Sequence, residues 1–237
     1  MTYGEEAIQA HRFLTETDPE VFATMTNFAF KEVDGEIDIP RRSKDLSTIG
    51  YLLGCQATDE YRLMLPVFLA HGLTAIEVKE VLYQALDYLG MARVMPFFKI
   101  TNEILQNRSE SLPLPGQATT NEQTRLSKGE ETQIRLFGPQ MKDFSKKGTI
   151  NRWLTANCFG DYYTRTGLSD QDRELITFCY LAAQGGVEPQ LLAHAKANIR
   201  VGNDEAFLTK IVLQNVPYIG YPRSLNALKV IQEAANN

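Results

Sequence analysis

The amino-acid sequence predicts an all-α protein made of two tandem helical-bundle repeats related by internal duplication. Apolar residues recur at helical spacing along most of the chain, and short motifs of the first half return in the second half. Only the segment VDGEIDI, residues 33–39, has an alternating pattern that hints at a strand. The neighbouring Asp34-Gly35 and Pro40 make a loop or a short hairpin equally consistent with it.

The duplication is visible as matching residues at a nearly constant offset. YQALDYLGMAR (83–93) and LQNVPYIGYPR (213–223) share Gln, Tyr, Gly and Arg, and KDLSTIGYLL (44–53) matches RELITFCYLA (173–182). A register that holds over about 90 residues excludes chance similarity. The Pro- and Gly-containing stretch between the copies reads as a linker. We therefore predict a first repeat over 1–110, a linker over 111–123 and a second repeat over 124–237.

Each repeat should contain four main helices. In the second copy, Ser169 begins a capping box, Gly185-Gly186 ends that helix, Pro189 opens the next and Gly202 stops it. A third helix should run from Asn203 or Asp204 to Asn215, and a fourth should begin near Pro222. The corresponding helices of the first copy are expected at about 44–54, 58–70, 74–88 and 92–106.

Composition narrows the classes of function. The net charge of −5 is interspersed and no basic run is present, which argues against nucleic acid or a membrane surface as partner. The N-terminus has no targeting pattern and no apolar run approaches the roughly 18 residues that span a bilayer. Three widely spaced cysteines favour reduced thiols over disulfides or a metal site. We expect a cytoplasmic protein that binds a small-molecule substrate.

Glu174 and His194 are the leading catalytic candidates. Glu174 lies 11 residues before Gly185 and His194 lies 8 residues after Gly186, on two helices joined by a tight turn. At about 1.5 Å per residue, both side chains should lie at a similar height on adjacent antiparallel helices. A buried imidazole beside a carboxylate is a candidate general acid or base, although a core histidine satisfied by one hydrogen bond has the same pattern.

Other residues are candidates for substrate binding or for the core. Arg223, near the start of the last helix, is able to hold a carboxylate, and an exposed ion pair is an equal alternative. Tyr218 and Cys179 are placed at the substrate site, while their apolar surroundings also suit a buried ring and an inert thiol. Neither His11 nor His71 has a carboxylate at useful spacing, so no role is assigned to them.

The pattern REL…H…VG…Q…YIGYP…NAL in residues 173–228 resembles the carboxymuconolactone decarboxylase family. This resemblance implies an all-helical fold, and three fused chains would form the pseudo-hexameric ring that single-repeat members build from six. The AhpD-like members, which are hydroperoxidases, use a Glu, a CxxC pair and a His. Val187 and Gln190 stand at the two cysteine positions here, whereas Glu174 and His194 occupy the matching acid and base positions. The first copy has Asp45 and Met64 instead.

The resemblance favours a cofactor-independent decarboxylase or lactone-processing lyase that uses His194 and Glu174 on a small carboxylated lactone or keto acid. Without organic cofactor or metal, the chemistry would be acid/base catalysis. An AhpD-like peroxidase acting through a lone thiol, Cys179 or Cys158, is the second interpretation. A ring-forming or ligand-binding protein without catalytic activity is the third. In each case the first copy is expected to lend wall residues to the site of the second.

Overall fold

The computed structural model describes residues 1–236, and this part of the chain is helical with no strand. The first copy contains α1 (Tyr3–Ala10), α2 (Pro19–Asn27), α3 (Asp34–Glu36), α4 (Arg41–Gly54), α5 (Thr58–Ala70), α6 (Ala75–Leu89) and α7 (Met91–Asn107). The second contains α8 (Arg125–Phe137), α9 (Thr149–Trp153), α10 (Asp170–Gln184), α11 (Glu188–Arg200), α12 (Glu205–Gln214) and α13 (Val216–Ala235). The predicted all-α tandem fold is confirmed.

The four main helices of each copy follow the signals in the sequence. Ser169 and Asp172 form the expected capping box of α10, and Gly185 ends that helix with a positive φ of 70°. In α13, Gly220 interrupts the helix with φ 74° and ψ 165°, so the straight part of this helix begins close to Pro222 as predicted. Residues 33–39, whose pattern hinted at a strand, form the end of a π-helical turn followed by α3. The expectation of a short hairpin is therefore wrong.

The two copies pack against each other through α4 and α10, the matching helices of the duplication. A Cβ on Gly54 would lie 2.6 Å from Ala183 Cβ and 2.7 Å from the Tyr180 carbonyl oxygen, so the two backbones meet without a side chain between them. A Cβ on Gly50 would lie 2.9 Å from Cys179 Cβ. This contact places α10, which carries Glu174, at the centre of the molecule.

A buried polar cluster fixes α10 against α6 of the first copy. The Arg173 guanidinium, 1% exposed, donates to Glu80 at 3.1 Å and to Gln84 Oε1 at 2.9 Å. Gln84 Nε2 returns a hydrogen bond to the Arg173 carbonyl oxygen at 2.9 Å. Arg165 also pairs with Glu80. Because removing one partner of a buried ion pair leaves an uncompensated charge, this cluster holds the two helices in one register.

The connection between the copies contains no helix from Ser109 to Thr124, in keeping with the predicted linker over 111–123, and the proposed domain limits stay a prediction. None of the helices in residues 1–236 combines the length and the apolar character needed to cross a lipid bilayer.

Candidate functional site

Glu174 and His194 are in direct contact inside the second copy. Glu174 Oε2 accepts a hydrogen bond from His194 Nδ1 at 2.8 Å, with Glu174 fully buried and His194 6% exposed. The hairpin of α10 and α11 brings them to the same height, as their spacing from the glycine turn requires. The contact puts the proton on Nδ1, so Nε2 is the ring nitrogen available to a ligand. Among the described residues, Nε2 has no hydrogen-bond partner.

Asn198 fixes the geometry of this pair through the backbone. Its Nδ2 donates to the carbonyl oxygens of both Glu174 and His194 at 2.8 Å, and its Oδ1 accepts from Asn203 at 2.8 Å. A single buried amide thereby ties α10, α11 and the turn before α12 together. Asn198 is one helical turn after His194 in the sequence, and that spacing was the signal by which it could have been found.

Aromatic rings cover the imidazole on two sides. Tyr88 from the first copy and Phe137 from α8 both lie edge-on to His194, each with ring centroids 5.3 Å away. Tyr88 belongs to α6, so the first copy supplies a wall of the site in the second. Aromatic walls exclude water and strengthen the electrostatic interaction between Glu174 and His194.

A chain of hydroxyl groups leads from the buried cluster to this site. Gln84 Nε2 lies 2.8 Å from Thr177 Oγ1, Thr177 lies 2.9 Å from the Tyr163 hydroxyl, and that hydroxyl lies 3.0 Å from the Tyr88 hydroxyl. Arginine can only donate, so its contact with Gln84 Oε1 fixes the orientation of the amide.

The orientation of the Gln84 amide fixes only the first hydrogen bond of this chain, in which Thr177 Oγ1 accepts from Gln84 Nε2. In the next two contacts, Thr177 with Tyr163 and Tyr163 with Tyr88, either hydroxyl is able to donate. When Tyr163 donates to Tyr88, the proton of the Tyr88 hydroxyl has no acceptor among its described contacts. Burial, followed by the neighbouring Cys158, Tyr163 and Glu174, raises the pKa of Tyr88 well above its ordinary value. Tyr88 is thus a neutral phenol beside His194.

Cys158 and Asp87 complete the surroundings of Tyr88. The Cys158 thiol donates to the Tyr88 hydroxyl at 3.6 Å. Burial first, and then the negative charge of Asp87, raises the pKa of this thiol well above its ordinary value. Burial raises the pKa of Asp87 to about 7. At neutral pH the environment therefore favours the protonated thiol over the thiolate that nucleophilic chemistry requires.

The other predicted site residues lie elsewhere. Arg223 is exposed and donates to Cys55 Sγ at 3.4 Å, next to the Gly185 turn. That turn is roughly 12 to 16 Å along the hairpin from Glu174 and His194, so Arg223 does not complete their site as predicted. Cys179 is fully buried beside Tyr51 at the contact of α4 and α10, where burial raises the pKa of its thiol. Tyr218, at the start of α13, points into the first copy and lines a cleft there.

The first copy has Asp45 and Met64 at the positions that match Glu174 and His194, but these two side chains cannot perform the acid/base chemistry of that pair. Asp45 and Met64 are both buried where the second copy has Glu174 and His194. Asp45 makes no hydrogen bond, and its nearest cation is Arg41 at 3.8 Å. A thioether can neither donate nor accept a catalytic proton, so this pair cannot work as an acid/base dyad. In residues 1–236, no cluster of three or more His, Cys, Asp or Glu has an arrangement that could hold a metal ion.

Comparison with protein families identifies the family to which this chain belongs. A sequence model described as the carboxymuconolactone decarboxylase family matches residues 19–103 and 149–233, once in each copy. The chain belongs to this family. A comparison with individually curated proteins finds no match.

The two family matches confirm the tandem duplication seen in the sequence. Both cover the four main helices of a copy, and the second includes Glu174 and His194. This member of the carboxymuconolactone decarboxylase family has a Glu174–His194 pair in the second copy and Asp45 with Met64 in the first. Of these two pairs, only Glu174–His194 is a candidate acid/base site. Tyr88, which sequence reasoning placed in the core, lies beside His194, and Tyr163, expected to line a pocket or a subunit interface, contacts Tyr88.

Proposed function

We propose that this protein is an acid/base enzyme of the decarboxylase or lactone-processing type, which acts on a small carboxylated lactone or keto acid. The observation that carries the proposal is the buried contact of 2.8 Å between Glu174 Oε2 and His194 Nδ1, which leaves Nε2 free. Membership of the carboxymuconolactone decarboxylase family supports the reaction class. A carboxylate on Nδ1 orients the ring and stabilises its protonated form.

The chemical step needs one proton at one carbon. When the bond to the carboxylate carbon breaks, CO₂ leaves and the electron pair moves through the substrate to the neighbouring carbonyl oxygen as an enolate. His194, protonated at Nε2, then gives its proton to the carbon and is neutral at the end of the step. Glu174 keeps the imidazole in one tautomer and one orientation.

Tyr88 is suited to stabilise the developing negative charge. Its hydroxyl accepts from the Cys158 thiol, and when Tyr163 also donates to it, the proton of the Tyr88 hydroxyl is left for a substrate oxygen. A donor that is already oriented needs no reorganisation when charge develops on the carbonyl oxygen, and this kind of stabilisation is among the largest in enzymes. The first copy would thereby contribute a catalytic group.

A peroxidase that uses a lone thiol is less consistent with the structure. Cys158 lies at the site and Cys179 in the core, and burial raises the pKa of both thiols well above the ordinary value. A thiolate at neutral pH would need the opposite shift. A ligand-binding protein without catalytic activity is the remaining alternative, and the aromatic walls beside His194 would serve that function equally well.

The test is turnover of a panel of carboxylated lactones and keto acids, measured as release of CO₂. Once a substrate is found, His194→Gln should lower kcat by at least about 100-fold, because general acid/base groups contribute about 10²–10⁴-fold. His71→Gln, which changes a half-buried histidine of the first copy, is the matched control. Equal turnover by His194→Gln and the wild type would exclude the proposed mechanism. Thermal stabilisation by a panel compound without turnover would favour the binding protein.

We also propose that three chains associate into the pseudo-hexameric ring expected from the family. Matching exposed apolar residues at the start of the last helix in each copy support a repeated contact surface: Met91 with Tyr221, and Met95 with Leu225. A native mass three times the 26.7 kDa of one chain is expected by light scattering. A monomer at micromolar concentration would refute this proposal.

A further inference from the structure

The first copy contains a cleft where the second has its Glu174–His194 site. The cleft has a volume of about 240 Å³ and lies between α2, α5 and the start of α13. It is lined by Tyr218, the counterpart of Tyr88, and by Ala29, the counterpart of Cys158 in the matching π-helical turn. The volume is a little below the roughly 300–1,000 Å³ of pockets for drug-sized ligands. It therefore suits a smaller molecule.

A histidine and a carboxylate face this cleft in a different arrangement from the pair of the second copy. His11, 4% exposed, contacts the Ala7 carbonyl oxygen through Nδ1 at 2.7 Å and Glu60 through Nε2 at 3.0 Å. Both ring nitrogens face acceptors, so both contacts are satisfied only when the imidazole is protonated. Glu60 stands at the position of Gln190 in the second copy, one turn before Met64.

The His11–Glu60 pair offers a ligand in the cleft hydrogen-bond acceptors but no free N–H donor. Both N–H groups of His11 are used, whereas the Glu60 carboxylate has lone pairs left for a ligand. The Tyr218 hydroxyl has no hydrogen-bond partner among its described contacts. The remaining walls are apolar: Met25, Ala29, Phe30, Leu52, Ala57 and Pro217. A carboxylate would lie against the negative charge of Glu60 and find no free N–H group of His11, while a hydroxyl group would find an acceptor.

We propose that this cleft is a second ligand site, which binds a small uncharged molecule with an apolar body and one hydroxyl group, of the phenol class. The hydroxyl donates to Glu60 and the apolar body lies between Met25, Phe30 and Leu52. Tyr218, supplied by the second copy, holds the ligand from the other side. The site is separate from the acid/base site and does not depend on its activity.

The experiment is titration calorimetry of the full-length protein with para-ethylphenol, with para-ethylanisole and para-ethylbenzoate as comparison probes. The phenol should bind at least tenfold more tightly than the anisole, which has no donor, and than the benzoate, which is charged. Glu60→Gln should weaken binding of the phenol by about tenfold, because a hydrogen bond to a charged acceptor is replaced by one to a neutral amide.

A second variant keeps the test independent of the ion pair. Ala29→Leu places a larger side chain in the wall of the cleft and should abolish binding, whereas Ala23→Leu, the same change at an exposed position of α2, should leave it unchanged. Binding that survives Ala29→Leu would place the phenol elsewhere and overturn the proposal. Equal affinity for the phenol and the benzoate would overturn the assigned ligand class, and no measurable binding of the phenol would overturn the site.

Discussion

Tyr88 of the first copy lies edge-on to His194 of the second, with their ring centroids 5.3 Å apart. The contact joins residues that are more than a hundred positions apart in the chain. It depends on the close packing of α4 against α10 and on the buried cluster around Arg173, which together bring α6 to the acid/base pair. The candidate site is therefore a product of both copies, although only one of them retains the histidine.

Removal of the Tyr88 hydroxyl tests its role as a donor. Tyr88→Phe keeps the aromatic wall and should lower kcat by about 100-fold with little change in KM, because the lost hydrogen bond is strongest when the enolate oxygen is charged. Steady-state kinetics on the confirmed substrate gives both constants. Tyr83→Phe on the same helix is the control. Unchanged kcat in Tyr88→Phe would remove this residue from the mechanism.

Gly54 tests the contact between the two copies. In Gly54→Ala the new Cβ would meet Ala183 and the Tyr180 carbonyl oxygen at less than 3 Å, closer than van der Waals contact allows. Overpacking of this kind costs about 1–3 kcal/mol and outweighs the better helix propensity of alanine. Urea denaturation measures the change in the free energy of unfolding. Gly116→Ala, which meets nothing within 4 Å, should change it by less than about 0.5 kcal/mol.

Asp45 should make stability depend on pH. Burial first, and then the charge of Asp34, raises the pKa of Asp45 from 3.8 to about 7, in spite of the nearby Arg41. Between these values the folded protein holds a proton that the unfolded chain has lost, so the free energy of unfolding falls as pH rises. The contribution is at most about 4 kcal/mol.

Asp45→Asn removes this titration and keeps the shape of the side chain. The difference in unfolding free energy between the variant and the wild type should grow in favour of the variant from about pH 4 to about pH 7. Urea denaturation at several pH values in this range measures it. Parallel pH profiles of the two proteins would show that Asp45 does not carry the shifted pKa.

The three thiols should differ in reactivity. Burial raises the pKa of all three thiols, but Cys55 is only half-buried beside Arg223, whereas Cys158 and Cys179 are buried. Under native conditions iodoacetamide should modify Cys55 first and leave the other two largely unmodified. Mass spectrometry of the digested protein gives the order. Rapid modification of Cys158 would instead support the lone-thiol peroxidase, and Cys55→Ala controls for the accessible thiol.

Sequence reasoning predicted the parts of the structure that depend on local signals. Capping residues, glycine stops and the repeat register predicted the four main helices of each copy, and the distance to one turn placed Glu174 opposite His194. These features depend on residues within one hairpin. Helical geometry is enough to connect them.

The residues that the sequence did not assign are those that meet across long distances in the chain. Tyr88 was recognised as the repeat mate of Tyr218, yet the repeat alone does not say that each tyrosine points into the other copy. His11 had no carboxylate at helical spacing because its partner, Glu60, lies 49 residues away. Arg223 was assigned to the wrong end of the hairpin, since its position depends on how α13 crosses the Gly185 turn.

The exchange of Tyr88 and Tyr218 between the copies constrains how the chain can diverge. A substitution of Tyr88 in α6 alters the surroundings of His194 in the second copy, and a substitution at the start of α13 alters the cleft of the first. Neither half can therefore acquire a new specificity on its own, and a copy that has lost its histidine still cannot be deleted. The duplication is a mutual dependence, in which each copy holds part of the candidate site of the other.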